Sequence, residues 1–176
     1  VTFINLNVGS TTATSVQGNT IAGIAISGTQ SGTGTASQLR AIYVAAGLTS
    51  IGDAIGNTIG SQSATGSITY TSSSAATSDV IGIFNFGSDP WTVSNNTIGG
   101  VTASNSSTGA ANFYGIRVNT TSGVAFVCTN NTIGGSVANS IQSTSTATGT
   151  IVQGLRNDSP IGTLTGNTIR NLSAAG

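Results

Sequence analysis

Four aspartates carry all the side-chain carboxylates of this sequence, and they are the first residues to examine for acid–base chemistry. They are Asp53, Asp79, Asp89 and Asp158. A glycosidase needs two carboxyl groups at a defined separation across the bond that it hydrolyses. These four aspartates fall at different positions relative to the repeat described below, which argues against their converging in one site. We therefore expect solvated aspartates in turns, and we predict no catalytic residues and no enzyme.

The other reactive side chains offer neither a nucleophilic dyad nor a metal site. The sequence contains no His, Lys, Glu or Met. Without His there is no Ser-His or Cys-His pair, and a common ligand of transition metals is missing. The single thiol, Cys128, has no electropositive neighbour in the sequence that would activate it, so we expect a small core residue. The sequence predicts no cofactor and no metal.

Two sets of equivalent side chains could bind a ligand. Arg117 and Arg156 hold the same position in successive repeats. Such a row could hold a ligand, but an outward row of long side chains that covers one face is the simpler interpretation. Trp91 and Phe126 also share a position. We expect these two rings to stack on each other, and a platform for a sugar ring is the alternative.

Charge and composition limit the classes of partner. All four cations are Arg, all four anions are Asp, and the net charge is zero. A chain without a basic patch has no long-range attraction for phosphate backbones, so we expect no nucleic-acid partner. No apolar run approaches the roughly 20 residues of a membrane helix, so we expect no membrane span. A net charge near zero favours association between protein molecules.

A repeated triplet, Asn-Thr-Ile, organises the whole chain. Successive copies of the five triplets are 38, 39, 35 and 36 residues apart, a period that is typical of a solenoid. Ser, Thr and Asn supply 70 of the 176 residues, and abundant Ile, Val and Thr favour short strands with polar turns over helices. The triplets begin at Asn19, Asn57, Asn96, Asn131 and Asn167 and end at Ile21, Ile59, Ile98, Ile133 and Ile169.

Each triplet is expected to lie at a bend between two strands. The residue before each Asn is Gly or Asn, the two types that best tolerate positive φ; these residues are Gly18, Gly56, Asn95, Asn130 and Gly166. An apolar residue lies three positions before each Asn, at Val16, Ala54, Val93, Cys128 and Leu164. We predict that the five Asn side chains form a ladder of shared amide hydrogen bonds. The five Ile side chains are predicted to form a buried column beside it.

A second apolar position fixes the register of the coils. It lies 12 to 15 residues before the next Asn and is occupied by Leu6, Ile42, Ile83, Ile116 and Leu155. Three residues earlier lie Phe3, Leu39, Val80, Phe113 and Val152. We predict one three-stranded coil per period in preference to two coils per period. Long Ser/Thr/Gly-rich connections would include residues 61–77 and 136–149. Residues 1–176 would then form a single all-β domain, a parallel β-helix of about five coils of 35–39 residues.

The repeats resemble those of large secreted surface proteins of Bacteroidetes-type bacteria. The shared pattern is Gly/Asn-Asn-Thr-Ile-Gly-Gly, a Ser/Thr-rich loop and then Gly-Ile-Arg, and it is clearest from Asn130–Gly135 to Gly154–Arg156. The pattern is also similar to pectate-lyase-like right-handed parallel β-helices with an asparagine ladder. The resemblance covers essentially the whole chain and implies an extracellular or cell-surface protein. It leaves the function open, because this fold hosts both enzymes and inert adhesin stalks.

We expect a structural protein, either a β-helical filament subunit or one segment of a longer adhesin array. Solenoids need polar terminal repeats for solubility, yet the first and last periods carry the interior pattern, so copies of the chain are expected to stack head to tail. Ice binding is one alternative, because Thr144, Thr146, Thr148 and Thr150 alternate along the chain. Carbohydrate binding is the other, with surface glycans as partners.

Overall fold

In a computed structural model, residues 1–119, 124–159 and 161–176 are described, and they form five stacked coils. Coil 1 contains β1 (Thr2–Asn7), β2 (Thr14–Val16), β3 (Thr20–Ile21) and β4 (Ile24–Gly28). Coil 2 contains β5 (Leu39–Ala46), β6 (Thr49–Ile51), β7 (Thr58–Gly60) and β8 (Ile68–Ser72). Coil 3 contains β9 (Ser78–Asn85), β10 (Trp91–Ser94), β11 (Thr97–Gly99) and β12 (Val101–Asn105). Coil 4 contains β13 (Ala111–Val118), β14 (Phe126–Thr129), β15 (Thr132–Ile133) and β16 (Ile141–Ser143). Coil 5 contains β17 (Val152–Asn157), β18 (Thr163–Thr165), β19 (Thr168–Ile169) and β20 (Leu172–Ala174).

Equivalent strands of successive coils pair in parallel and build four five-stranded sheets. Sheet A contains β1, β5, β9, β13 and β17; sheet B contains β2, β6, β10, β14 and β18. Sheet C contains β3, β7, β11, β15 and β19; sheet D contains β4, β8, β12, β16 and β20. Within the described residues the only helix is a short 3-10 turn, Gly34–Ala36. The predicted right-handed parallel β-helix is confirmed.

Each period makes one coil, as predicted, but the coil has four strands and not three. The triplets of coils 2 and 3 lie on directly paired strands, with Thr58 opposite Thr97 and Ile59 opposite Ile98. The fourth strand of each coil lies in what the sequence predicted to be a long connection. In coil 2 it is β8, where Ile68 and Tyr70 are buried and Thr69 between them is half-buried. Period-2 alternation with so few apolar residues is hard to distinguish from a Ser/Thr-rich loop.

The core consists of four aliphatic columns, one inside each sheet. Sheet A contributes Ile4, Ile42, Ile83, Ile116 and Leu155. Sheet B contributes Val16, Ile51, Val93, Cys128 and Leu164. Sheet C contributes Ile21, Ile59, Ile98, Ile133 and Ile169. Sheet D contributes Ile24, Ile68, Val101, Ile141 and Leu172. The members of these columns in coils 2, 3 and 4 are all buried.

The prediction that Ile169 is buried with the other four triplet isoleucines is wrong. Its side chain is 48% exposed, whereas Ile133 in the coil before is fully buried. Ile169 belongs to the last coil, so no further coil covers it. The same holds for Leu164 of the sheet B column, which is also exposed. The end face of coil 5 therefore presents apolar side chains of the interior type.

The sequence register is wrong by two residues in coil 1. Ile4, and not Leu6, lies opposite Ile42 in the sheet A column. Leu6 lies opposite Val44, and Phe3, predicted to point inward, is exposed. Counting back from Asn19 assumed that the connection after the first strand has the same length in every coil. The connection between β1 and β2 is longer than that assumption allows.

Coil 2 departs from the pattern at the bend between sheets B and C. Ile51, and not Ala54, lies opposite Val16 and Val93, and Ala54 is exposed. The inward residue of β6 is thus six positions before its triplet Asn and not three. The predicted positive φ is observed at the other four bends but not at Gly56. In coil 2 it occurs at Gly52, where φ is 76°.

The column of small residues beside the sheet A anchors has a steric cause. Ala41, Gly82, Gly115 and Gly154 precede the anchors of coils 2 to 5. A Cβ atom added to Gly115 would lie 2.8 Å from Cγ2 of Ile133, which is too close for van der Waals contact. The missing side chain therefore lets sheet A approach the isoleucine column of sheet C.

Candidate functional site

The asparagine ladder lies at the bend between sheets B and C and repeats the same two bonds at each step. The backbone N–H and the Nδ2–H of one Asn both donate to Oδ1 of the Asn in the next coil. From Asn19 to Asn57, Asn96, Asn131 and Asn167, the backbone N to Oδ1 distances are 3.1, 3.0, 3.0 and 3.0 Å. The Nδ2 to Oδ1 distances are 2.8, 2.8, 3.0 and 2.9 Å. The predicted ladder at one turn is confirmed.

A third bond in each step runs back toward the preceding coil. Nδ2 of Asn57 donates to the carbonyl of Val16 at 2.8 Å, and Nδ2 of Asn167 donates to that of Cys128 at 2.9 Å. Asn96 and Asn131 make the equivalent bonds. The three interior ladder residues are buried, and their amides are satisfied as buried amides must be. Because every step has the same direction, the ladder is polar along the axis of the helix.

The two ends of the ladder carry opposite hydrogen-bonding groups. At coil 1, no described residue donates to Oδ1 of Asn19. At coil 5, no described residue accepts from the backbone N–H of Asn167, and its Nδ2 donates only to Cys128. Both end residues are half-buried, in contrast to the buried members predicted for the whole column. One end of the molecule therefore presents an acceptor, and the other presents two donors.

Four charged side chains meet on the outer face of sheet A, and we call them the ion chain. Nη1 of Arg117 lies 3.3 Å from Oδ2 of Asp79, and its Nε lies 3.5 Å from Oδ2 of Asp158. Nε of Arg156 lies 2.9 Å from the same Asp158 oxygen. The expectation that the aspartates do not converge is wrong for these two, because Arg117 joins them. Two cations and two anions leave the ion chain without net charge.

Asp79 is not the solvated turn residue that the sequence predicted. Its side chain is 2% exposed, and its oxygens accept bonds from Nδ2 of Asn112 and from the backbone N–H of Gly34, both at 3.0 Å. Together with Arg117, these donors occupy both carboxylate oxygens. Asp79 thus holds the Gly34–Ala36 turn against sheet A. Asp53 and Asp89 lie elsewhere and accept bonds from Ser15 and Gly47 respectively.

Aromatic rings line the ion chain and shield it from water. The Arg117 guanidinium carbon lies 5.0 Å from the centre of the Tyr114 ring and 5.6 Å from that of Phe84, within the range of cation–π attraction. Arg156 lies 5.5 Å from the Tyr114 ring and donates to its hydroxyl. Burial raises the pKa of Tyr114, and the nearby Asp79 carboxylate adds to the rise. The hydrogen bond to Asp158 raises the pKa of Arg156.

The arginine row therefore has partners of its own. Arg117 and Arg156 are directly opposite each other in the register of sheet A, as their spacing predicts. Both side chains are engaged by Asp158, so the row does not present free cations to an anionic ligand. The ion chain links coils 3, 4 and 5 to one another, which is a structural role.

Trp91 and Phe126 stack on each other inside the helix. Their ring centres are 5.3 Å apart with an interplanar angle of 17°, as the shared position predicts. Both residues are buried. The alternative of a sugar platform is therefore wrong for this pair, because neither ring offers a face to solvent.

Cys128 is a buried core residue of sheet B, as expected. It lies between Val93 and Leu164 in its column. Burial raises the pKa of its thiol to about 12, so that the thiolate does not form at physiological pH. Its sulfur is also 3.3 Å from Nδ2 of Asn131.

The alternating threonines do not form a regular array. Thr144, Thr146 and Thr148 are exposed, but the run lies after β16 and ends in a turn, where Oγ1 of Thr150 donates to the carbonyl of Ala147 at 2.7 Å. A regular threonine column does run along sheet C through Thr20, Thr58, Thr97, Thr132 and Thr168. This column is one residue wide.

Comparison with known proteins gives no relative: no family model, curated protein or solved structure matches the chain. In the part of the chain that the structure describes, no helix has the length and apolarity needed to cross a membrane. No group of three or more His, Cys, Asp or Glu side chains suited to holding a metal ion occurs in that part either.

Proposed function

We propose that the protein is an extracellular structural β-helix, a filament subunit or adhesin-stalk segment that extends by head-to-tail stacking of coils. The observation that carries the proposal is the complementarity of its two end faces. The resemblance of the repeats to those of secreted surface proteins supports the cell-surface location.

The end faces of coils 1 and 5 carry the same four aliphatic columns. If coil 1 of one copy lay on coil 5 of another, it would pair Leu155 with Ile4, Leu164 with Val16, Ile169 with Ile21, and Leu172 with Ile24. Leu164 and Ile169 are 45% and 48% exposed in the single chain. Burying apolar surface contributes about 25 cal/mol per Å², so the contact gains free energy from each column.

The strand edges of both end coils favour the same contact. Each end coil pairs with a neighbour on one side only, and open strand edges are templates for pairing with another chain. In sheet A, the outward columns would place Gln153 over Thr2 and Arg156 over Asn5, so no like charges meet. This contact is heterologous and does not close on itself, and repetition of such a contact generates a filament.

The proposal is tested by blocking one end at a time. Ile21→Arg places a charge on the coil 1 face, and Ile169→Arg places one on the coil 5 face. In sedimentation velocity and negative-stain microscopy, we expect the wild-type chain to form filaments with an axial repeat of about 24 Å, five coils at the strand spacing. Each variant alone should be a monomer, because every contact needs one intact face of each kind.

A mixture of the two variants gives the decisive result. The intact coil 5 face of Ile21→Arg can bind the intact coil 1 face of Ile169→Arg, so an equimolar mixture should form dimers and nothing longer. Thr146→Arg adds the same charge in an exposed segment and serves as the control that should still form filaments. A wild-type chain that stays monomeric at all concentrations, or a mixture that behaves like its separate components, would contradict the proposal.

A further inference from the structure

We infer that the asparagine ladder continues through the head-to-tail contact and fixes its polarity and register, with a second copy of this chain as the partner. The inference rests on the proposed function, because it concerns the same two end faces. It adds the hydrogen-bonding groups by which one face recognises the other.

The groups left over at the two ends are those that every internal step joins. The backbone N–H and one Nδ2 hydrogen of Asn167 would donate to Oδ1 of the partner's Asn19, as Asn131 donates to Asn167 at 3.0 and 2.9 Å. The return bond would run from Nδ2 of Asn19 to the carbonyl of Leu164, as Asn167 bonds Cys128. The junction thus needs no geometry that the molecule does not already use four times.

Polarity follows from the chemistry of the two ends. A contact between two coil 1 faces would oppose the Oδ1 acceptors of two Asn19 side chains. A contact between two coil 5 faces would oppose the donors of two Asn167 residues. Only coil 5 on coil 1 joins donors to an acceptor, so the ladder excludes both symmetric dimers.

Register follows from the position of the ladder beside the isoleucine column. A slip of one residue along the strand moves each side chain to the other face of the sheet. In sheet C such a slip would set Ile169 against Thr20, which points outward, and would take Asn167 away from Asn19. The hydrogen bonds and the apolar column therefore select the same register.

Asn167→Asp tests the inference with little effect inside the molecule. Within its own chain, the Oδ1 of Asn167 acts as an acceptor for Asn131, and a carboxylate keeps that capacity. At the junction, the carboxylate loses the Nδ2 donor and sets negative charge against Oδ1 of the partner's Asn19. We expect the critical concentration for filament formation at pH 7 to rise at least tenfold. Near pH 3 the carboxyl is mostly protonated and can donate again, so part of the loss should be recovered.

Asn171→Asp is the matched control, since it places the same charge on coil 5 outside the ladder. Nδ2 of Asn171 donates to the carbonyl of Gly135 at 2.8 Å, so this variant also loses one internal bond. We expect its critical concentration to stay within twofold of wild type, and circular dichroism should show that both variants are folded. If Asn167→Asp assembles like wild type while Ile169→Arg does not assemble, the ladder inference is overturned and the proposed function stands. If the wild-type chain itself does not assemble, the proposed function fails and this inference fails with it.

Discussion

Asn85 is a buried amide that no described residue satisfies, which predicts that its removal will stabilise the protein. It points inward from sheet A between Val44 and Val118. Its side chain is fully buried, and neither Oδ1 nor Nδ2 has a hydrogen-bond partner among the described residues. Two residues of sheet B that lie opposite each other, Thr49 and Trp91, also carry unpartnered buried polar atoms.

The magnitude follows from the cost of leaving polar atoms unpaired. A buried polar group without a partner costs about 1–3 kcal/mol. Asn85→Val removes both amide atoms and continues a column of valines, and a β-branched residue suits a strand. Valine is slightly larger than asparagine, so strain offsets part of the gain. We expect the free energy of unfolding to increase by about 1–2 kcal/mol, the lower part of the range of the cited desolvation cost.

Equilibrium denaturation in urea, below the concentration for assembly, measures this change by linear extrapolation. Asn96→Val is the matched control, because Asn96 is equally buried but accepts from both donors of Asn57. That control should lose about 2–5 kcal/mol, since several ladder groups are then left without partners. If Asn85→Val also lost more than about 1 kcal/mol, the amide would be satisfied by ordered water in the folded protein, and the desolvation reasoning would be refuted.

Two further predictions concern the ion chain and the buried thiol. Arg117→Met should lower the free energy of unfolding by about 3 kcal/mol, because it leaves the buried Asp79 without its cation; adding Asp79→Asn should restore part of the loss, and a fully additive double variant would contradict the pairing. Burial raises the pKa of Cys128 from 9.0 to about 12, so the folded chain keeps a proton that the unfolded chain loses between these values. Stability from this group should therefore be fully present below pH 9 and fall as pH rises toward 12, and at pH 8 a thiol reagent should modify Cys128 only as fast as the protein unfolds.

The coil architecture could be predicted from the sequence because the Asn-Thr-Ile triplet fixes one position in every coil. Identical residues at a constant period need identical surroundings, and stacking places each Asn beside the next. The Gly or Asn before it supplies the positive φ that the bend requires, as at Asn95 and Asn130. These two constraints were enough to predict the ladder and one coil per period.

Residues far from the triplet were predicted less well, because the distance along the chain to a structurally equivalent position varies. Coil 2 has three extra residues between Ile51 and Asn57 compared with the equivalent segment of coil 3. Counting back from the Asn therefore selected Ala54. The insertion is polar and small, like the turns around it, so composition does not reveal it.

The ion chain was missed because its members come from three coils and from different columns. One signal was present in the sequence nonetheless. Arg117 and Arg156 share a column, and like charges on directly opposed strand residues are destabilising. A stacked pair of arginines therefore requires a carboxylate nearby, and Asp158, two residues after Arg156, was the candidate to consider.

The polar side chains of this protein act mainly along the helix axis, from coil to coil. The ladder joins all five coils at the bend between sheets B and C, and the ion chain joins coils 3, 4 and 5 on the outside of sheet A. Thr97 donates to Thr58 across coils in the same direction. Because these bonds oppose the separation of neighbouring coils, they suit a rod that is loaded along its length. The ladder stops only at the end faces, where its leftover donors and acceptor match those of another copy, so the arrangement that stabilises one rod also provides for its extension.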